Sequence, residues 1–252
     1  MRRQVILETQ NLTHIFPDGT TGIEDINLQI YEGDFIIIAG ANGSGKTVLT
    51  RHLNGLLVPT NGKVLFDGEL ISKDITKVRR NIGLIFQDSE SQFIGQTVNE
   101  EVAFGPENLN LPRAEIEDIV NNVLETVGLS ELITRNPHTL SGGQKRKLAV
   151  AGVLAMKPKI IIFDEPFTGL DYPGVIQVIK QLVELHKAGH TILLITHELE
   201  KVLAHGNRLV IMHQGKLISD GSPEEVILHV ENYGIRMPLK NNEGVESLTW
   251  LK

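Results

Sequence analysis

Runs of four or five mostly apolar residues punctuate the chain at 35–39, 82–86, 160–163 and 191–195, each followed by a polar residue or glycine. Strands covered by helices on both faces have no solvent side and show no alternation, so these β-branched-rich runs predict central strands of a parallel sheet. Between them the apolar period lengthens. Ile116, Ile119, Val120, Val123, Leu124 and Val127 mark one face of a helix that begins near Pro112 and stops at Gly128. Val175, Val178, Ile179, Leu182 and Leu185 mark another, ending at Gly189. Alternation of such runs and such helices predicts a doubly wound α/β core.

Three regions depart from that rhythm. Segments 26–30 and 63–66 alternate apolar with polar positions and are bounded by Gly and Asn-Gly turns, which predicts half-exposed antiparallel strands. Residues 88–152 hold no convincing strand and read as a helical insertion. Residues 208–219, with Gln214-Gly215 at the turn, read as a late hairpin. The expected division is therefore 1–87 with 153–230 as one core, 88–152 as a helical subdomain and 231–252 as a short, weakly patterned tail. Trp250 in that tail is expected at a fraying end rather than in a packed position.

Composition narrows the function classes. Lys and Arg number 24 against 31 Asp and Glu, a net charge of −7, which argues against a nonspecific nucleic-acid binder. Aromatic residues are 5%, too few for base-stacking platforms. The absence of cysteine removes disulfides and thiolate metal sites. No apolar run approaches the roughly 20 residues of a membrane span, and the first residues do not read as a signal peptide. His186 and His190 stand four apart, but Gly189 should end the helix between them, which speaks against a metal pair.

The chemistry lies in short motifs. Gly40-Ala41-Asn42-Gly43-Ser44-Gly45-Lys46-Thr47 follows a predicted strand and opens a helix. Glycines there let successive N–H groups turn toward phosphate oxygens, and the helix adds its positive end. Lys46 is expected on the β- and γ-phosphates, and Thr47 on Mg2+. The run 160–163 ends in Asp164-Glu165, at the strand end where α/β sheets bind ligands. Asp164 is expected to serve the metal. Glu165, directed elsewhere by strand alternation, is expected to deprotonate an attacking water. Leu140-Ser141-Gly142-Gly143-Gln144 precedes a helix and offers a second anion cradle, a hydroxyl with free N–H groups.

Spacing then identifies a family. The phosphate loop, Gln87 after the run 82–86, Ser141–Gln144, Asp164-Glu165, Asp171 after Gly169-Leu170, and His197 after the run 191–195 occur in one order. In this the chain resembles the ATP-binding subunits of ABC transporters across about residues 4–230. The resemblance implies a RecA-like P-loop core with an N-terminal antiparallel β subdomain and an inserted helical subdomain. It implies ATP and Mg2+ as ligands and a head-to-tail dimer in which one subunit's phosphate loop faces the other's Ser141, Gly142, Gly143 and Gln144. It gives Gln87 and His197 roles at the γ-phosphate, with Gln87 and Thr47 also near the metal, Asp171, at the D-loop position, among the nucleotide-binding residues, and Phe16 stacking on adenine. Phe167 stands where relatives usually carry Thr.

A second string narrows the type. Residues 97–109, Thr-Val-Asn-Glu-Glu-Val-Ala-Phe-Gly-Pro-Glu-Asn-Leu, look like the segment that follows the position of Gln87, the Q-loop, in the ATPases of energy-coupling factor transporters. Read without the resemblance, the same string is a helix start with acids near its N-terminus and a Gly-Pro break. The resemblance implies a second ATPase subunit, a transmembrane T component docking near Gln87 and residues 88–109, and a membrane-embedded substrate-binding S component. It places the chain on the cytoplasmic side of the cell membrane, driving uptake of a vitamin or transition-metal ion. Asp88, Glu90 and Glu101 are expected to receive basic residues of the T component. An ordinary binding-protein-dependent importer ATPase, and a non-transport ABC ATPase, remain the alternatives.

Overall fold

The computed structural model describes residues 3–86, 93–238 and 244–251. Its larger sheet has six strands: β3 (Phe35–Ala39), β6 (Ile82–Ile85), β7 (Ile160–Asp164), β8 (Thr191–Ile195), β9 (Arg208–His213) and β10 (Lys216–Gly221), in the order β10-β9-β3-β8-β7-β6. All neighbours run parallel except the β9–β10 hairpin. The four predicted runs are β3, β6, β7 and β8, and the hairpin turns at Gln214-Gly215, both left-handed.

Side-chain alternation explains why the runs are apolar throughout. Phe35, Ile37, Ile161, Phe163, Ile192 and Leu194 face α6 (Tyr172–Lys187) and its neighbours. Ile36, Ile38, Ile160, Ile162, Leu193 and Ile195 face α1 (Lys46–Leu53), α2 (Ile75–Asn81) and a second sheet. Both faces are covered, and burying each such side chain stabilises the fold by about 1.5–3 kcal/mol.

The second sheet is antiparallel, ordered β2-β1-β4-β5 from β1 (Val5–Ile15), β2 (Thr21–Tyr31), β4 (Asn61–Phe66) and β5 (Glu69–Leu70). In β2 the alternation is as expected: Ile26, Leu28 and Ile30 are buried while Asn27 and Gln29 are exposed.

Between β6 and β7 lie α3 (Val98–Asn108), α4 (Arg113–Val127) and α5 (Gly142–Leu154), which share a cluster of Val98, Val102, Ile119, Val120, Leu124, Leu148 and Ala151. A capping box of Thr97 and Glu100 starts α3. The Gly105-Pro106 pair does not break it. Pro106 sits in the last turn, and the helix runs on to Asn108. Gly128, left-handed, ends α4.

Segment 244–251 departs from the expected fraying end. Val245 and Leu248 are buried in the cluster that includes α6. Ala204 N–H donates to the Leu248 carbonyl at 3.0 Å, and Trp250 N–H to the Lys201 carbonyl at 3.0 Å. Its polar composition conceals apolar anchors spaced too closely to give a period. Among the described residues, no helix is long and apolar enough to cross a membrane.

Candidate active site

Sheet register aligns three loops. Ile38 and Asp164 both pair with Ile195, so the segments leaving β3, β8 and β7 open side by side at the carboxyl edge. Ile85 pairs with Phe163, which brings the chain at 86 level with Asp164. Gln87, Asp88 and Glu90 lie outside the described residues.

The phosphate loop is held from two sides. Gly45 caps α1 with φ +100°, and a Cβ there would stand 2.8 Å from the Gly22 carbonyl, so only glycine fits. Gly215, at the β9–β10 turn, donates its N–H to the Ser44 carbonyl at 3.0 Å and accepts from Glu24 N–H at 2.8 Å. The sequence marks Gly215 only as a turn residue. Its grip on the loop follows from β9 lying beside β3.

Lys46 is buried, and its Nζ donates to the Gly40 and Ala41 carbonyls at 2.7 and 3.0 Å. Burial pushes its ammonium below the usual lysine range, while Glu165 and Asp164 pull it back up. An ammonium has three donors, so one N–H remains beyond these two bonds. Ser44 is buried, and among the described residues its Oγ has no hydrogen-bond partner. Asn42 and Gly43 are exposed at the loop tip. These donors fit a polyphosphate.

Burial likewise raises the Asp164 carboxyl above its ordinary value, opposed first by a hydrogen bond with the Thr47 side chain and reinforced by the Glu165 charge. A carboxylate beside a hydroxyl, both oxygen donors, fits a hard divalent cation such as Mg2+.

Glu165 diverges from Asp164 by a different route from simple alternation. The strand ends at Asp164, and Glu165 takes a left-handed backbone, φ 49°, fixed by its N–H bond to the Ile195 carbonyl at 2.9 Å. A non-glycine residue in that region is strained, and such strain clusters at functional sites. The turn sets both carboxylate oxygens 3.1 Å from His197 Nδ1. The Glu165 side chain is 13% exposed and that of His197 53%, so the pair faces the crevice.

Phe16 lies beside the loop. Its ring covers Gly22, where a Cβ would come within 2.8 Å of Cε2, and meets His14 edge-on at 4.8 Å. Part of the ring stays open.

Ser141 and Asp171 belong to helix starts. Ser141 Oγ accepts from Gln144 N–H at 3.4 Å, and Gln144 Oε1 from Ser141 N–H at 2.9 Å. Ser141, Gly142 and Gly143 are exposed, on the helix packed with α3 and α4 rather than on the loop side of the sheet. Asp171, also exposed, caps α6 through Gly174 N–H at 2.9 Å. A cleft of about 290 Å³ separates α5 from α6, lined by Gly143, Arg146, Leu170, Gln177 and Glu184 among others.

Two expectations outside this crevice can be placed. His186 Nε2 meets the Gly33 carbonyl at 3.0 Å and His190 Nδ1 the Pro158 carbonyl at 2.8 Å, with left-handed Gly189 between them. Glu101 does not stand free for a partner. Its Oε2 accepts from Ile94 and Gly95 N–H at 2.7 and 2.8 Å, because the chain entering α3 folds back over the first turn.

Comparison with known proteins agrees with this arrangement. The family profile described as ABC transporter matches residues 23–168. The energy-coupling factor transporter ATP-binding protein EcfA of Methanocaldococcus jannaschii is 41% identical over 239 residues, covering 92% of this chain and 86% of that protein. The EcfA protein of Methanothermobacter thermautotrophicus is 42% identical over 229 residues, covering 90% and 74%. Among solved structures, cbiO1 from Clostridium perfringens, described as part of the ABC transporter complex cbiONQ, matches with TM-score 0.81 at 38% identity, covering 93% of this chain and 96% of that one. An ATP-binding cassette of an ABC transporter in its ADP conformation matches with TM-score 0.80 at 28% identity, covering 92% and 97%.

Proposed function

The chain belongs to the ABC transporter family as an ATPase subunit of the energy-coupling factor type, and from that premise we propose that it closes head to tail with a second ATPase subunit around two ATP molecules to drive uptake of a micronutrient. The observation that carries this reading is a division within one chain. Lys46, Asp164 and the Glu165–His197 pair gather at the sheet edge, whereas the Ser141–Gly143 cradle is exposed on the helical cluster. An exposed anion cradle apart from the loop is what a shared site needs, since each half remains open until a second subunit supplies the other.

In this reading the phosphate-loop N–H groups and the remaining Lys46 donor hold the β- and γ-phosphates. Phe16 offers its open face to adenine. Thr47 and Asp164 would hold Mg2+, which would neutralise phosphate charge there, and the family resemblance assigns Gln87 to the same ion. Glu165 accepts a proton as water oxygen bonds to the γ-phosphorus and the bond to the β-phosphate bridge breaks, leaving ADP and inorganic phosphate. His197, 3.1 Å from that carboxylate, orients it and the water. Ser141, Gly142, Gly143 and Gln144 of the facing subunit complete the γ-phosphate shell, and Asp171 lies along the same seam.

The helical subdomain, 88–152, then faces a transmembrane T component, while 1–87 with 153–230 forms the nucleotide core. Exposed Ile94 and Phe104, ten residues apart, offer apolar side chains in this region that such a contact would cover. Cargo is chosen by a separate membrane-embedded S component, and the chain sits on the cytoplasmic face as a peripheral subunit.

Glu165→Gln tests the reading. It removes the base and keeps shape, so ATP binding persists, the dimer accumulates on size-exclusion chromatography, and turnover falls by about two to four orders of magnitude. Normal turnover would falsify the assignment.

A further inference from the structure

Lys201 is a buried cation, 7% exposed, four residues beyond His197. A buried ammonium must be compensated. Its carboxylate partner is Glu198, the residue that follows His197. Two aromatic rings flank the same ammonium. Nζ lies 5.5 Å from the Phe167 ring centroid and 4.7 Å from that of Trp250. Phe167 is two residues beyond Glu165 and 2% exposed. The Trp250 ring in turn stands 5.3 Å from Tyr172, the residue after Asp171. Trp250 is tied down by its N–H bond to the Lys201 carbonyl at 3.0 Å, and Thr249 Oγ1 meets His205 Nε2 at 2.8 Å. One ammonium thus joins the loop after Glu165, the segment after His197 and segment 244–251, with the start of α6 against the same indole.

We propose that Phe167, Lys201 and Trp250 form a positioning clamp that holds Glu165 and His197 in register, with segment 244–251 as the strap that closes it. The clamp rests on the reading of Glu165 as the base. Phe167 and Trp250 pack in the cluster on the α6 face of the sheet, whereas α1, which follows the phosphate loop, packs on the opposite face. The clamp therefore acts on turnover, not on ATP binding. A ring face over a cation is interchangeable among aromatics to a degree that no aliphatic side chain matches, which gives the test its specificity.

The test is ATP hydrolysis by the whole chain as Trp250→Ala, Trp250→Phe and Lys201→Met. Trp250→Ala is expected to lower kcat roughly tenfold, as a small misplacement of catalytic groups does, with KM for ATP within about twofold. Trp250→Phe should restore more than half of the lost kcat, and Lys201→Met should resemble Trp250→Ala. Trp250 is the single tryptophan of the chain, so its emission in Lys201→Met reads the clamp directly, and a shift is expected as the cation leaves the ring. Wild-type kcat in Trp250→Ala, equal loss in Trp250→Phe, a raised KM at unchanged kcat, or unaltered emission in Lys201→Met each overturns the proposal. Glu165→Gln in the same assay separates the two readings. Normal turnover there removes the base, whereas an inert Glu165→Gln beside a fully active Trp250→Ala removes the clamp alone.

Discussion

Asp164 carries an electrostatic cost within the fold. Burial raises its carboxyl above the ordinary value of 3.8 despite Thr47 and Lys46. For an acid whose folded value lies above the unfolded one, ionisation opposes folding: the penalty is present above the folded value and vanishes below the unfolded one. At neutral pH Asp164→Asn should therefore raise the melting temperature of the nucleotide-free protein, by about 2–4 °C for each kcal/mol relieved, while erasing the additional stabilisation that Mg2+ gives over ATP alone. Differential scanning fluorimetry with and without Mg2+ and ATP checks both, and a lower nucleotide-free melting temperature counts against the argument. At this scale the phosphate-loop residues, Asp164, Glu165 and His197 were legible as types and spacings. The left-handed turn at Glu165 was not, because a strand end in sequence does not say how the next residue leaves it.

At the scale of elements, the start of α5 is built twice over. Ser141 and Gln144 satisfy each other's backbone, and the exposed N–H groups behind them keep the positive helix end available to an anion. Ser141→Arg removes the cap, at about 1 kcal/mol, and sets a long cation in the cradle. Equilibrium binding of a fluorescent ATP analogue to the single subunit should change little, while turnover should fall by about two orders of magnitude, as on loss of a preorganised donor. Retained turnover would mean that the cradle does not complete the site. Helix α4 was readable from its period, and strands β3, β7 and β8 from short apolar runs without one. The Gly105-Pro106 pair was not, since a proline in a last turn and a proline that ends a helix look the same in one dimension. Gly215 shows the same limit: the turn is legible, but its bond to Ser44 requires β9 to lie against β3.

For the whole molecule, the proposed docking face and the proposed catalytic edge use different elements. Phe104 is 43% exposed on α3, a helix of the inserted cluster, whereas Lys46 opens α1 and Glu165 follows β7. Phe104→Asp should reduce recovery of the membrane partner in affinity copurification from detergent, and leave hydrolysis by the isolated chain unchanged. Full recovery would move the docking face elsewhere. Glu101 is a poor candidate for that contact, because its carboxylate already closes the entry to α3.

Local chemistry is written in one dimension. A strand covered on both faces must be apolar throughout, a loop that wraps phosphate needs glycine where backbone must turn, and a helix start needs its cap. Each is a constraint between near neighbours, so the α/β core, the phosphate loop, the acidic strand end and the Ser141 cradle could all be read in order. The contacts between distant segments could not. That Glu165 meets His197, that Gly215 grips Ser44, and that Trp250 closes over Lys201 depend on strand order and on how segment 244–251 packs. Such pairings carry no period and no fixed spacing. They arise only when the sheet brings separate loops to one edge.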